Sequence, residues 1–157
     1  DRSSAASDVY KRQVLAMSNS PEVKEEHVKS IRSYGHHFGM AYQLIDDLLD
    51  YVGNKTIMGK NTGDDLSEGK LTLPIILALA KTSGSKKNSL LHALKQKSSA
   101  NLEEIVEIIT TSGAIEDTRK AALHEIEQAR EHLLHLPENE YREALESLTE
   151  YSADRIF

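Results

Sequence analysis

The stretch AYQLIDDLLDYVG, residues 41–53, places three aspartates within five positions of an otherwise apolar run. Like charges four apart on a helix are mildly destabilising, so Asp46, Asp47 and Asp50 call for a positive charge from elsewhere. On a wheel of about 100° per residue with Asp46 at the origin, Asp50 falls near 40°, Gln43 near 60° and Asp47 near 100°. Phe38, Ala41, Tyr42, Ile45, Leu48, Leu49 and Val52 occupy the opposite arc. The pattern predicts one long helix with an acidic stripe on one side and core on the other.

The apolar residues Val23, Ile31, Tyr34 and Phe38 extend the same three-and-four spacing back toward Pro21. Ser20 is a suitable N-cap with Pro21 at the first helical position. Residues 1–13, DRSSAASDVYKRQ, are polar and aperiodic and read as an atypical N-terminal arm, foreign to the rest of the chain. Residues 53–70 are punctuated by four glycines and read as a loop or broken helical stretch. TLPIILALAK, residues 72–81, reads as a short apolar helix. Residues 82–100 are rich in serine and lysine, with a brief apolar patch at Leu90–Leu94. Helical patterns continue at 101–111, 114–135 and 138–154, separated at Gly113 and Pro137. With no alternating strands and no internal repeat, the expected fold is all-α, with about six helices.

The chain has 157 residues, enough for one domain with a core. Its 39% hydrophobic and 28% charged residues suit a soluble globular protein. A net charge of −6 argues against binding nucleic acid through a broad basic surface. Cysteine is absent, which excludes disulfides and thiolate metal sites. No apolar run reaches the roughly 18 residues of a membrane span, and no apolar signal core stands near residue 1, so the expected location is cytoplasmic.

An isolated DDxxD is more often a solvated acidic face than a site. Here, however, Arg32 is the only lysine or arginine between Ile31 and Tyr51, so the stripe lacks a local basic partner. Mg²⁺ prefers carboxylate oxygens, keeps several waters and commonly bridges to phosphates. In GKNTGDDLSEGKLTLP, residues 59–74, Lys60 and Lys70 stand among glycines. Lysine offers a compact charge to phosphate oxygens, and glycine permits close backbone approach. The spacing is not that of a Walker A loop. A metal stripe with this lysine pair after it suits a diphosphate–magnesium complex.

At these residues the sequence resembles a family. YGHHFGMAYQLIDDLLDY with MGKNTGDDLSEGKLTLPIILAL looks like the second aspartate-rich region of the trans-isoprenyl diphosphate synthases, the polyprenyl synthetases, most closely the octaprenyl-type bacterial enzymes. SGAIEDTRKAALHEIEQAREHL and YREALESLTEYSADR resemble that family's closing helices. Tyr42 stands where phenylalanine is usual. The resemblance implies the isoprenoid synthase helical fold, with residues 14–157 as the C-terminal half of a polyprenyl synthetase domain. It implies Asp46, Asp47, Asp50 and Asp65 as ligands or neighbours of Mg²⁺. It further implies Lys60 and Lys70 as the lysines on the allylic diphosphate that assist its ionisation, and Gln43 as a polar pocket residue. The implied reaction is head-to-tail condensation of an allylic prenyl diphosphate with isopentenyl diphosphate, in a homodimer of the full-length enzyme. A lipid product would bring the enzyme to a membrane surface.

The departures are specific. Family enzymes are about twice this length and carry an earlier aspartate-rich motif followed by paired arginines. In this chain Asp-Asp recurs only at Asp64-Asp65, and no Arg-Arg occurs. The implied chain is a half-site that does not turn over alone. Two other readings stand beside it: a class I terpene cyclase fragment, and a non-catalytic helical subunit or scaffold. His36 and His37 read as surface or packing residues, His124, His132 and His135 as solvated, and Arg155 as exposed or near substrate. Tyr51 and Tyr151 read as packing residues with wet hydroxyls.

Overall fold

The computed structural model describes residues 24–52, 63–97 and 101–155, and every regular element among them is helical. The seven helices are α1 (Glu25–Val52), α2 (Asp64–Glu68), α3 (Leu73–Lys81), α4 (Gly84–Gln96), α5 (Leu102–Thr111), α6 (Ala114–Leu133) and α7 (Glu140–Asp154). The fold is all-α, as expected. The Ser20–Pro21 helix start and the arm at 1–13 lie outside the described residues. The chain divides into two compact units, Asp1–Gln43 with Ala122–Phe157, and Leu44–Ala121.

Helix α1 buries Ser30, Tyr34, Phe38, Ala41, Ile45, Leu48 and Tyr51. The steps of three and four define a stripe turned toward Tyr51, which lies outside the apolar arc of the wheel. Tyr42, at the far edge of that arc, and Val52, the last residue of the helix, are expected in the core but are 48% and 42% exposed.

In the first unit, Tyr34 stacks on Phe38 with ring centroids 5.6 Å apart. The pair packs with Ala129 and Leu133 of α6, and Ile31, Leu136 and Leu145 close around them. The Tyr34 hydroxyl reaches the Leu145 carbonyl at 3.3 Å and Thr149 Oγ1 at 3.1 Å. Thr149 and Ser152 are buried on α7, and each hydroxyl donates to the carbonyl four residues earlier. Helix α7 starts at Asn139, whose side-chain oxygen accepts from the Tyr141 and Arg142 amides. This cap satisfies two otherwise orphaned donors. Tyr141, Leu148 and Tyr151 lie outside.

His132 departs from the expectation of a solvated ring, while His37 takes the packing role, one of the two read for it. His37 Nδ1 lies 2.7 Å from Glu125 Oε2, and its ring stacks on that of His132. Burial, then the neighbouring His37 and His135, hold His132 below its ordinary range, with Glu131 acting in the opposite sense. His124 and His135 are exposed.

In the second unit, α2 packs on α4, α3 on α4 and α5, and α4 on α5. Leu66, Ile75, Leu90, Ile105 and Ile109 are fully buried or nearly so. Thr72 in extended backbone precedes α3, and Pro74 sits in its first turn. Helix α4 corrects the reading of residues 82–100. Its pattern is weak because Leu90 alone is buried; packing against three neighbouring helices supplies what propensity does not. Lys97 in left-handed backbone closes it, its amide donating to the Ala93 and Leu94 carbonyls. An ion pair joins Lys81 to Asp117.

Two outcomes are expected in the first unit. Tyr34→Phe removes one buried hydroxyl and costs about 0.5–1.5 kcal/mol, read by chemical denaturation. A histidine held low in the folded chain contributes stability that is complete above its ordinary value of 6.5 and lost as pH falls toward the folded value. The melting temperature should therefore fall between pH 7 and pH 5, and His132→Asn should flatten that part of the profile.

Candidate functional site

The acidic end of the second unit is built from the last turns of α1, the short helix α2 and the residues just after it. Asp46, Asp47 and Asp50 are half-buried on α1. At Gly63 the backbone is left-handed, with φ 85°. Its amide donates to the Asp50 carbonyl at 3.0 Å. The Asp64 amide donates to Asp50 Oδ1 and the Asp65 amide to Asp50 Oδ2, each at 3.2 Å. Three successive amides thus converge on one aspartate, which satisfies two orphan donors of the first turn of α2, those of Asp64 and Asp65. A Cβ at position 63 would approach Leu102 Cδ1 to 2.5 Å, so glycine meets both the backbone and the packing demand.

Helix α2 ends at Gly69, again left-handed, which turns the chain so that Lys70 comes back on Asp65. The Lys70 amide donates to the Asp65 carbonyl at 2.9 Å. Its ammonium lies 2.9 Å from Asp65 Oδ1 and 2.7 Å from Glu68 Oε2. These contacts, Glu68 first, raise the Lys70 ammonium above the usual lysine range. At 55% exposure the side chain remains accessible to a ligand. Behind the acids, Tyr51 is 3% exposed and its hydroxyl meets Thr72 Oγ1 at 3.3 Å. The expected wet hydroxyl is therefore a buried one, and burial pushes the Tyr51 phenol up.

Burial raises the Asp50 carboxyl above its ordinary range, and the charge of Asp65 adds to this; the amides of Asp65 and Asp64 pull the other way. Among the described residues no group of three or more histidine, cysteine, aspartate or glutamate side chains is arranged to hold a metal ion. The carboxylates there are hard oxygen donors, the type a hard divalent ion prefers.

Of the residues singled out in the sequence, Asp50, Asp65 and Lys70 come together here. Asp46 and Asp47 stand on the same helix, Gln43 belongs to the first unit and is exposed, and Lys60 lies outside the described residues. Glu68 was weighed only as part of a loose terpene-cyclase metal motif, and the Gly63–Asp65 backbone was not singled out. Glu68 stands two residues before Lys70, which was a legible signal; the amide contacts were not legible from spacing.

The family described as Polyprenyl synthetase matches residues 5–111. The all-trans-nonaprenyl-diphosphate synthase (geranyl-diphosphate specific) of Rhodobacter capsulatus is 41% identical over 133 residues, 85% of this chain and 41% of its own length. The octaprenyl diphosphate synthase of Escherichia coli (strain K12) is 38% identical over 131 residues, 83% of this chain and 41% of its own. A polyprenyl synthase from Caulobacter crescentus CB15, complexed with calcium and isoprenyl diphosphate, superposes with a TM-score of 0.77. It is 36% identical and covers 86% of this chain and 42% of its own. A geranylgeranyl pyrophosphate synthase from Corynebacterium glutamicum, complexed with isoprenyl diphosphate and magnesium, gives a TM-score of 0.76 at 30% identity. It covers 84% of this chain and 38% of its own. The chain spans 41% of the length of these two curated relatives.

Gly63→Ala should destabilise the second unit by at least about 1–2 kcal/mol, the cost of a left-handed L-residue. Denaturant melts of wild type and variant check this.

Proposed function

Because this chain belongs to the polyprenyl synthetase family, we propose that its acidic end binds the diphosphate of an allylic prenyl substrate with a divalent cation. In this reading residues 14–157 belong to the C-terminal part of a prenyltransferase domain, and the family match itself begins at residue 5. The observation that carries the reading is the meeting of Asp50, Asp65 and Lys70 beside an aspartate pair on α1. Negative side chains recruit a cation, and an accessible ammonium supplies a charge suited to phosphate oxygens.

Asp46 and Asp47 offer oxygen ligands, with Asp50 and Asp65 beside them. Lys70 exchanges its contacts to Glu68 and Asp65 for diphosphate oxygens, and Lys60 and Gln43 join it by their place in the motif. Magnesium suits the site better than calcium, since it needs fewer carboxylates and keeps its waters. Bound magnesium supplies neutralisation of the charge on a leaving diphosphate. The chain's own part is to bind the diphosphate and to stabilise, through Lys70, the negative charge that grows as the allylic carbon–oxygen bond breaks. The double bond of isopentenyl diphosphate then forms the new carbon–carbon bond, and loss of a proton completes the condensation. The 157 residues contain no second complete aspartate-rich motif and no paired arginines. The reading therefore assigns them diphosphate binding, with turnover only in a homodimeric enzyme carrying both motifs. The lysine pair disfavours a terpene cyclase.

Calorimetric titration with an allylic diphosphate across a magnesium series tests this. Asp46→Ala and Lys70→Ala should each weaken binding about ten- to a hundredfold, as loss of a charged contact worth about 1.5–3 kcal/mol requires. Glu26→Ala and Glu103→Ala, both at exposed positions, should change little. Equal affinity in all four variants, or robust prenyl elongation by this chain alone, would overturn the reading.

A further inference from the structure

By sequence spacing Asp46 and Asp50 are equals, one turn apart on the same helix. The structure separates them. Asp50 receives the three consecutive amides of Gly63, Asp64 and Asp65, the first on its carbonyl and the other two on opposite oxygens of its carboxylate. A left-handed residue followed by helical ones points its amides into a shallow concavity suited to an anion. In this chain the anion in that concavity is the Asp50 carboxylate.

The same turn continues into the lysine. Asp65 donates its amide to Asp50, while its carbonyl accepts the Lys70 amide and its carboxylate holds the Lys70 ammonium, both at 2.9 Å. One residue therefore joins Asp50 on one side to Lys70 on the other. Glu68 holds the ammonium from a second direction but is largely exposed, where screening leaves such contacts weak. Asp65, 17% exposed, is the better anchored partner.

We propose that Asp50 is a positioning residue, whose carboxylate fixes the Gly63–Asp65 turn and, through Asp65, sets Lys70 for the diphosphate. The inference rests on the acidic end being a diphosphate site. It divides the stripe by role: Asp46 serves the cation, and Asp50 serves the lysine.

The test uses the full chain without metal, comparing wild type with Asp50→Ala, Asp50→Asn and Asp46→Asn. Amide hydrogen exchange and the Lys70 ammonium resonance are read by NMR, and affinity for inorganic pyrophosphate is measured with and without Mg²⁺. In Asp50→Ala, exchange at Asp64 and Asp65 should rise at least tenfold, the Lys70 resonance should shift, and metal-free pyrophosphate affinity should fall about tenfold. Asp50→Asn keeps one acceptor oxygen and should fall between. Asp46→Asn should weaken the Mg²⁺-dependent gain in affinity. Gly63→Ala keeps every carboxylate and lysine, and should reproduce the loss of metal-free affinity. It also covers the case in which Asp50→Ala fails to fold.

Unchanged exchange at Asp64 and Asp65 in Asp50→Ala and Asp50→Asn overturns the proposal. So does raised exchange with full metal-free affinity, which would make the turn merely structural. If wild type binds no pyrophosphate under any condition, the diphosphate reading fails. The Lys70 resonance then decides the coupling by itself: a shift in the Asp50 variants supports it, and none overturns it.

Discussion

Helix α1 carries the constraint on which the rest depends. It must bury one continuous stripe, from Ser30 through Tyr34, Phe38, Ala41, Ile45 and Leu48 to Tyr51, and carry three aspartates in its last turns. Each fully buried isoleucine or leucine on it contributes about 1.5–3 kcal/mol, so the stripe sets the rotation of the helix. A helix so held can tolerate acids that repel one another by a few tenths of a kcal/mol per pair. The apolar side thus keeps Asp46, Asp47 and Asp50 together.

The polar groups of each unit are satisfied locally. In the first, Tyr34, Thr149 and the Leu145 carbonyl close a buried hydroxyl network, and His37 meets Glu125 and His132. In the second, Tyr51 finds Thr72, and Asp50 finds backbone amides. The difference in exposure between Asp50 and Lys70 has a consequence. A half-buried carboxylate held by two amides is a stable part of the structure, whereas an exposed ammonium between two acids is held weakly. Lys70 is consequently the member of the group whose contacts are most readily exchanged.

Much of the helical frame was legible as periodicity. The three-and-four spacing along 31–52, the apolar TLPIILALAK and the breaks at Gly113 and Pro137 all correspond to observed elements. Helix α4 was not legible, because one buried leucine among serines and lysines leaves no amphipathic signal. Tyr42 was misplaced because the buried stripe is turned away from its edge of the apolar arc, and Val52 because the helix ends there. His132 was misplaced because nothing on α6 marks its approach to His37.

By itself the sequence determined the all-α class, the family, and the candidate residues of the acidic end, since each of these comes from local spacing or from motif order. Only the tertiary structure decided what those residues do to one another. It placed the Gly63–Asp65 amides on Asp50, drew Lys70 to Asp65 and Glu68, and buried the Tyr51 hydroxyl on Thr72. The physical reason is that backbone amides are present at every residue except proline and leave no mark in a pattern of side chains. Where they point depends on φ and ψ at Gly63 and Gly69, and those angles are set by the packing that the chain finds when it folds.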